Sequence, residues 1–95
     1  MAVQPDKRPK QAQDEAAGTN VTERYRSGPY WLGALAMLPN PVSFTIRRDG
    51  SALHQGDVWL DHTRRWTTTR GGVDHWDVGP LECLEWWVHA TSSSD

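Results

Sequence analysis

The stretch Arg64–Asp77, RRWTTTRGGVDHWD, governs how the rest of the chain is read. It holds three Arg, two Trp, three consecutive Thr and one Asp-His pair, with Gly71-Gly72 at its centre. Two Gly between β-prone runs predict a two-residue hairpin loop, because primed turns need positive φ and Gly adopts it without steric cost. Pairing Arg70 with Val73 sets Thr68 opposite His75, Trp66 opposite Asp77 and Thr67 opposite Trp76. Side chains alternate along a strand. One face therefore carries Thr67, Thr69, Trp76 and Val78, and the other Trp66, Thr68, Arg70, His75 and Asp77. The first is expected to be the half-buried side and the second the wetter one. The Thr run is ordinary strand material, since β-branched residues suit a pleated surface.

The segments before the hairpin extend the β pattern. Val42–Ser51, VSFTIRRDGS, alternates Val42, Phe44 and Ile46 against Ser43, Thr45 and Arg47, then reaches the turn signal Asp49-Gly50. Asp57–His62, DVWLDH, alternates Val58, Leu60 and His62 against Asp57, Trp59 and Asp61. Upstream, Ser27 as cap and Pro29 in the first turn predict a short helix over Tyr30–Met37, apolar all round and ended by Pro39 and Pro41. Downstream of Gly79, PLECLEWWVHA fits either a helix or a strand. As a strand, Leu84, Trp86, Val88 and Ala90 would line one side. As a helix, Pro80 takes the first position, Glu82 and Glu85 lie early and His89 late, all suited to the macrodipole. Leu81, Leu84, Trp87 and Val88 would then share a face, with Trp86 beside Glu82 and His89. The charge placement favours the helix.

The expected fold class is a small α+β domain: an antiparallel β-meander of four or five strands with one or two short helices, including a C-terminal helix. Apart from Met1, residues 1–27 contain only Val3, Val21 and Tyr25 as sizeable apolar side chains and read as a flexible N-terminal arm. The helix-prone QAQDEAAG within it is too short to persist without tertiary contacts. Residues 28–90 read as a compact β-rich domain, and 91–95 as a frayed C-terminus. A core of about 60 residues buries only about 60% of its unfolded surface. Six Trp help, each removing on the order of 200 Å² from water when buried. A partner surface would help further.

Composition excludes several classes. Cys83 is the single cysteine, so no intrachain disulfide and no CxxC motif forms. The apolar run YWLGALAML is about half a membrane span, and no signal-peptide pattern precedes it. The expected setting is cytoplasmic, or an assembly formed there, with no membrane contact; the Asn20-Val21-Thr22 sequon then carries little weight. Scarce Ile, Asn, Lys, Phe and Tyr beside abundant Arg, Gly, Ala, Asp and Trp match GC-rich codons, pointing to a high-GC bacterium or its phage. The formal charge of −2 is unevenly placed: residues 1–70 net +3 and residues 71–95 net −5. Pairing between the two halves is the simplest account.

No pattern of His54, His62, His75, His89, Cys83 and the Asp residues matches a metal motif. Adjacent strand residues face opposite ways, so neither Asp61-His62 nor Asp74-His75 chelates from one side. No nucleophile elbow or phosphate loop is present, and no catalytic residue, metal or cofactor is assigned. Arg64, Arg65 and Arg70 with Trp66 and Trp76 resemble a single-strand nucleic-acid surface in residue type. Against it, residues 28–95 carry five Arg and eight acids, and phosphate affinity is mostly electrostatic. An exposed Trp66 or the Trp86-Trp87 pair would suit a carbohydrate or small ligand. Trp and Arg also dominate protein interface hot spots. The expected function is a small non-enzymatic protein-interaction module, a phage or mobile-element protein that joins an assembly, binds a host protein or self-associates. Its candidate contacts are Trp66, Arg70, His75, Arg64, Arg65 and Trp86.

Overall fold

A computed structural model describes residues 20–93, with side chains through Ala90. The expected helix-prone segment and most of the N-terminal arm lie outside these residues. Six strands follow in order: β1 (Val21–Ser27), β2 (Tyr30–Leu35), β3 (Ser43–Arg48), β4 (Gly56–Leu60), β5 (Trp66–Arg70) and β6 (Val73–Asp77). A helix, α1 (Pro80–Ser93), closes the chain. The strands form one antiparallel sheet in sequence order, β1 to β6. The fold is thus a small α+β meander of six strands, not four or five, with a single helix among the described residues.

The additional strands lie where composition pointed elsewhere. Val21–Ser27, assigned to the arm, pairs along β2 with a bulge at Glu23/Tyr25. Tyr30–Leu35, expected to be helical, is β2. Ser-Gly-Pro serves equally as a helix start or a reverse turn; Gly28 has φ +61° and turns the chain back, so Ser27 pairs with Tyr30. An all-round apolar run also suits a strand with one face in the core and the other screened by its own side chains. Leu32 and Ala34 enter the core, while on the other face Trp31 lies across Gly33. A Cβ there would come within 2.8 Å of Trp31 Cζ3 and 2.6 Å of Val21 Cγ1.

The Arg64–Asp77 hairpin has the expected register at every pair, Trp66 with Asp77 through Arg70 with Val73. Gly71 and Gly72 both take positive φ, as a primed turn requires. The facing is the reverse of expectation. The Trp66, Thr68, Arg70 and His75 side lies under the helix, whereas Trp76 is 52% exposed on the open side. The reason lies in strand pairing beyond the hairpin. Val58 pairs with Thr68, and Gly56 with Ile46, so Phe44, Ile46 and Val58 share a face with Thr68 rather than with Thr67. The apolar helix stripe packs on that face.

PLECLEWWVHA is helical, and the helix continues through Ser93 into the segment read as frayed. Gly79 accepts the first helical hydrogen bond, from Cys83 N–H at 3.2 Å, and Pro80 occupies the position where a missing N–H costs nothing. The core joins Leu32, Ala34, Phe44, Ile46 and Val58 of the sheet to Cys83, Leu84 and Trp87 of the helix. Thr68 is buried among them, its hydroxyl donating to the Asp57 carbonyl at 2.7 Å. That bond satisfies a group whose unpaired burial would cost about 1–3 kcal/mol.

Candidate functional site

Four of the six candidate contacts meet in the seam between hairpin and helix. The Arg70 guanidinium lies 3.6 Å from the centroid of the Trp87 ring, and its Nη1 donates to the Trp87 carbonyl at 3.2 Å. The His75 ring stacks parallel on Trp86, centroids 4.5 Å apart, with Nε2 3.1 Å from Asp77 Oδ2. Trp66 packs against Phe44 at 5.5 Å, and its carbonyl accepts from Cys83 Sγ at 3.2 Å. The Arg70–Trp87, His75–Trp86 and Cys83–Trp66 contacts run between the hairpin and the helix. The Val78 N–H, and then His75, hold the Asp77 carboxyl below its ordinary value. Burial pushes the Cys83 thiol up to about 11, so it is not a nucleophile at neutral pH.

The other two candidates flank the seam, placed by the loop between β4 and β5. Asp61 organises this loop: its Oδ1 accepts from the Thr63 N–H at 2.8 Å, the Thr63 hydroxyl at 2.7 Å and the Arg65 N–H at 2.9 Å. The Arg65 N–H first, then the Thr63 hydroxyl, lower its pKa to about 2. The loop forces Arg64 to φ +67°, a left-handed conformation that is strained for a side chain with a Cβ. Arg65 instead crosses to the open face and lies 4.7 Å from the centroid of Trp76.

Arg64 borders a groove of about 610 Å³ at one end of the sheet. Its aromatic floor is Tyr25, Phe44 and Trp66, with Tyr25 edge-on to Phe44 at 5.6 Å and 82°. Pro39, Asn40, Pro41 and Val42, from the connection between β2 and β3, make one wall; Leu60 and Pro80 complete it. Arg24, the extra residue of the β1 bulge, holds this wall from beneath. Its Nη2 donates to the Leu35 and Leu38 carbonyls, both at 2.7 Å. Arg24 and Arg64 are the charged lining residues, and no acid lines the groove. The Arg64 guanidinium has no hydrogen-bond or ion-pair partner among the described residues. Met37, Val42 and Val78, exposed by 61% or more, lie at the same end of the sheet.

Sequence reading reached Trp66 and Arg64 but not Tyr25, Phe44 or the proline wall. Tyr25 lies in a polar stretch, Phe44 reads as an ordinary strand residue, and Pro39 and Pro41 read as helix terminators. The available signal was Pro-Asn-Pro between two apolar runs, a rigid connection whose neighbours Leu38 and Val42 stay exposed. Among the described residues no group of three or more His, Cys, Asp and Glu is placed to hold a metal ion. No helix among them is long and apolar enough to cross a membrane. No protein-family model matches the chain, and neither the curated proteins nor the solved structures include a match to it.

Proposed function

We propose that this chain is a non-enzymatic protein-interaction module that holds an extended, apolar, carboxylate-bearing peptide segment of a partner protein in the groove of Tyr25, Phe44 and Trp66. The observation that carries the reading is Arg64. A strained backbone holds a guanidinium, unpaired among the described residues, at the rim of an aromatic floor. Strain of this kind persists where the surrounding structure over-determines it, and it clusters at ligand sites. Charge supports the same reading: the chain nets −2, yet the groove is lined by two arginines and no acid. A carboxylate is the side-chain group that takes a guanidinium fork in two parallel hydrogen bonds. Rigid proline walls and aromatic floors suit extended peptides, because little ordering is paid on either side. Met37, Val42 and Val78 add exposed apolar surface at the same end of the sheet for such a segment to cover.

The composition and the buried lone thiol fit a phage or mobile-element protein that joins an assembly, or binds a host protein, in a reducing cytoplasm. Panning the full chain against a random dodecapeptide library tests the reading. Apolar peptides with Asp or Glu should be enriched, and Arg64→Glu should weaken the best of them at least tenfold. Glu85→Lys, on the exposed helix surface, should not. No enrichment, or enriched peptides indifferent to Arg64→Glu and Val42→Arg alike, would remove the groove from consideration.

A further inference from the structure

β6 pairs with β5 on one side, and no strand among the described residues pairs along the other. The hairpin decides which of its backbone groups face that outer side. Gly71 and Gly72, both at positive φ, close a two-residue turn, so Arg70 and Val73 share ladder hydrogen bonds. Bonded and non-bonded pairs alternate along an antiparallel ladder. Thr68–His75 and Trp66–Asp77 are therefore bonded pairs, and Asp74 and Trp76 turn their N–H and C=O outward. The far side of β5 agrees. There the Asp61 N–H donates to the Arg65 carbonyl at 3.0 Å, so Arg65 and every second residue after it bond toward β4. The two edges of the sheet are also unequally protected. β1 is interrupted by a bulge at Glu23/Tyr25 and carries Arg24 and Arg26, devices that keep strands from adding. β6 is regular over its five residues and contains no Pro, Lys or Arg. Its Val73 and Trp76 are more than half exposed.

Charge tells which strand this edge suits. Residues 71–95 hold five acids and no Lys or Arg. The pairing expected between the basic and acidic halves does not neutralise them. Arg26 is taken by Glu23 and Asp49, and the Arg70 guanidinium lies on the Trp87 ring. Asp74 is exposed and has no hydrogen-bond or ion-pair partner among the described residues. Beside Trp76, a hollow of about 200 Å³ sets Asp61 and Asp74 against Arg65, whose guanidinium leans on the Trp76 ring.

We infer that β6 accepts an extended, basic segment of a partner protein as a seventh strand of the sheet. Main-chain hydrogen bonds to Asp74 and Trp76 hold the segment, and its side chains at alternate positions select it. Cβ atoms directly opposite across strands lie about 4.5–5.5 Å apart. A Lys or Arg thus meets Asp74, and an apolar residue two positions away covers Trp76. A second copy of β6 is the wrong occupant. Edge-to-edge pairing would bring Asp74 and Asp77 of both copies into one seam, and like charges across strands are destabilising. This site does not rest on the groove of Tyr25, Phe44 and Trp66.

The probe is a labelled heptapeptide of alternating Lys and Val, titrated against the full chain by fluorescence anisotropy. It should bind with a dissociation constant of about 100 µM or tighter. Its Glu-for-Lys counterpart should bind about tenfold more weakly or worse, and the same peptide N-methylated at every Lys and Val should not bind. Amide hydrogen exchange should slow at Asp74 and Trp76 on binding, and not along β1. Asp74→Pro removes an outward N–H and leaves the β5 ladder intact, a place where an edge strand tolerates proline. It should weaken the probe at least tenfold with circular dichroism unchanged. Should that variant not fold, the N-methylated peptide and the exchange pattern decide on the native chain. Absence of binding up to about 1 mM, equal binding of the Glu peptide or the N-methylated one, or protection appearing along β1 instead overturns the inference. Arg64→Glu should leave this binding in place, so the edge and the groove can fail separately.

Discussion

Replacing Gly56 by Ala should destabilise the domain, and trimming Trp87 should relieve the damage. Gly56 opens β4 opposite Ile46, against the edge of Trp87. A Cβ added there would stand 3.0 Å from Trp87 Nε1, 3.3 Å from Cε2 and 3.2 Å from Ile46 Cδ1. Both neighbours are buried, at 3% and 0% exposure, so neither can yield into solvent. Trp87 is further tied by Arg70, 3.6 Å from its ring centroid, and by Tyr30 edge-on at 5.3 Å. Overpacking of this kind costs about 1–3 kcal/mol, and the lower chain entropy of Ala offsets about 0.4–1 of it. The net loss should be about 0.5–2 kcal/mol. Trp87→Phe removes the Nε1 edge that the new methyl meets. The double variant should therefore be less destabilised than the sum of the single variants, by about 0.5–1.5 kcal/mol. Urea unfolding followed by far-ultraviolet circular dichroism measures all four corners. With a slope of about 1 kcal/mol/M, a 1 kcal/mol loss lowers the midpoint by about 1 M. A neutral or stabilising Gly56→Ala, or strict additivity with Trp87→Phe, would show that the helix does not seat Trp87 on Gly56.

Three further outcomes are expected. Arg64→Gly should raise stability by about 0.5–1 kcal/mol by removing left-handed strain, while abolishing selection for acidic peptides; a lower midpoint would refute the strain. Stability should fall with acid from about pH 4 downward, because Asp61, Glu23, Asp49 and Asp77 all titrate below their ordinary range when folded. Their contribution is complete above the unfolded value and disappears as pH drops through the folded one, which Asp61→Asn should blunt in a pH series of thermal melts. Cys83 runs the other way. Its folded pKa of about 11 lies above the unfolded value, so stability present below about pH 9 is lost toward pH 11. A thiol reagent at pH 8 should accordingly react at the unfolding rate, and prompt reaction in native buffer would contradict the burial.

Local chemistry explains what could be read directly. The Gly71-Gly72 turn sets the whole Trp66–Asp77 register, because two positive φ values leave one way for the flanking strands to meet. Asp49-Gly50 likewise closes β3, and Pro80 with Glu82 announces the start of α1. These are interactions between residues a few positions apart, and they act the same way in any context. The contact of the candidate His75 with Asp77 follows from the same register, the two being two residues apart on one face.

Long-range packing set the remainder. Tyr30–Leu35 carries an apolar pattern that helix and strand share, and its pairing with β1 and β3 made it a strand. The hairpin's two faces are equally plausible insides when only its own fourteen residues are considered. Alignment with Val58 and Ile46, and the docking of Leu84 and Trp87 on that side, chose the Arg70–His75 face and left Trp76 outside. The groove belongs to the same category, since Tyr25, Phe44 and Trp66 come from three different strands and meet through non-neighbouring pairings. Turns and caps are settled within a few residues, whereas the choice of face is settled by the free energy of burying one apolar stripe against another. No single stretch of chain contains both sides of that contact.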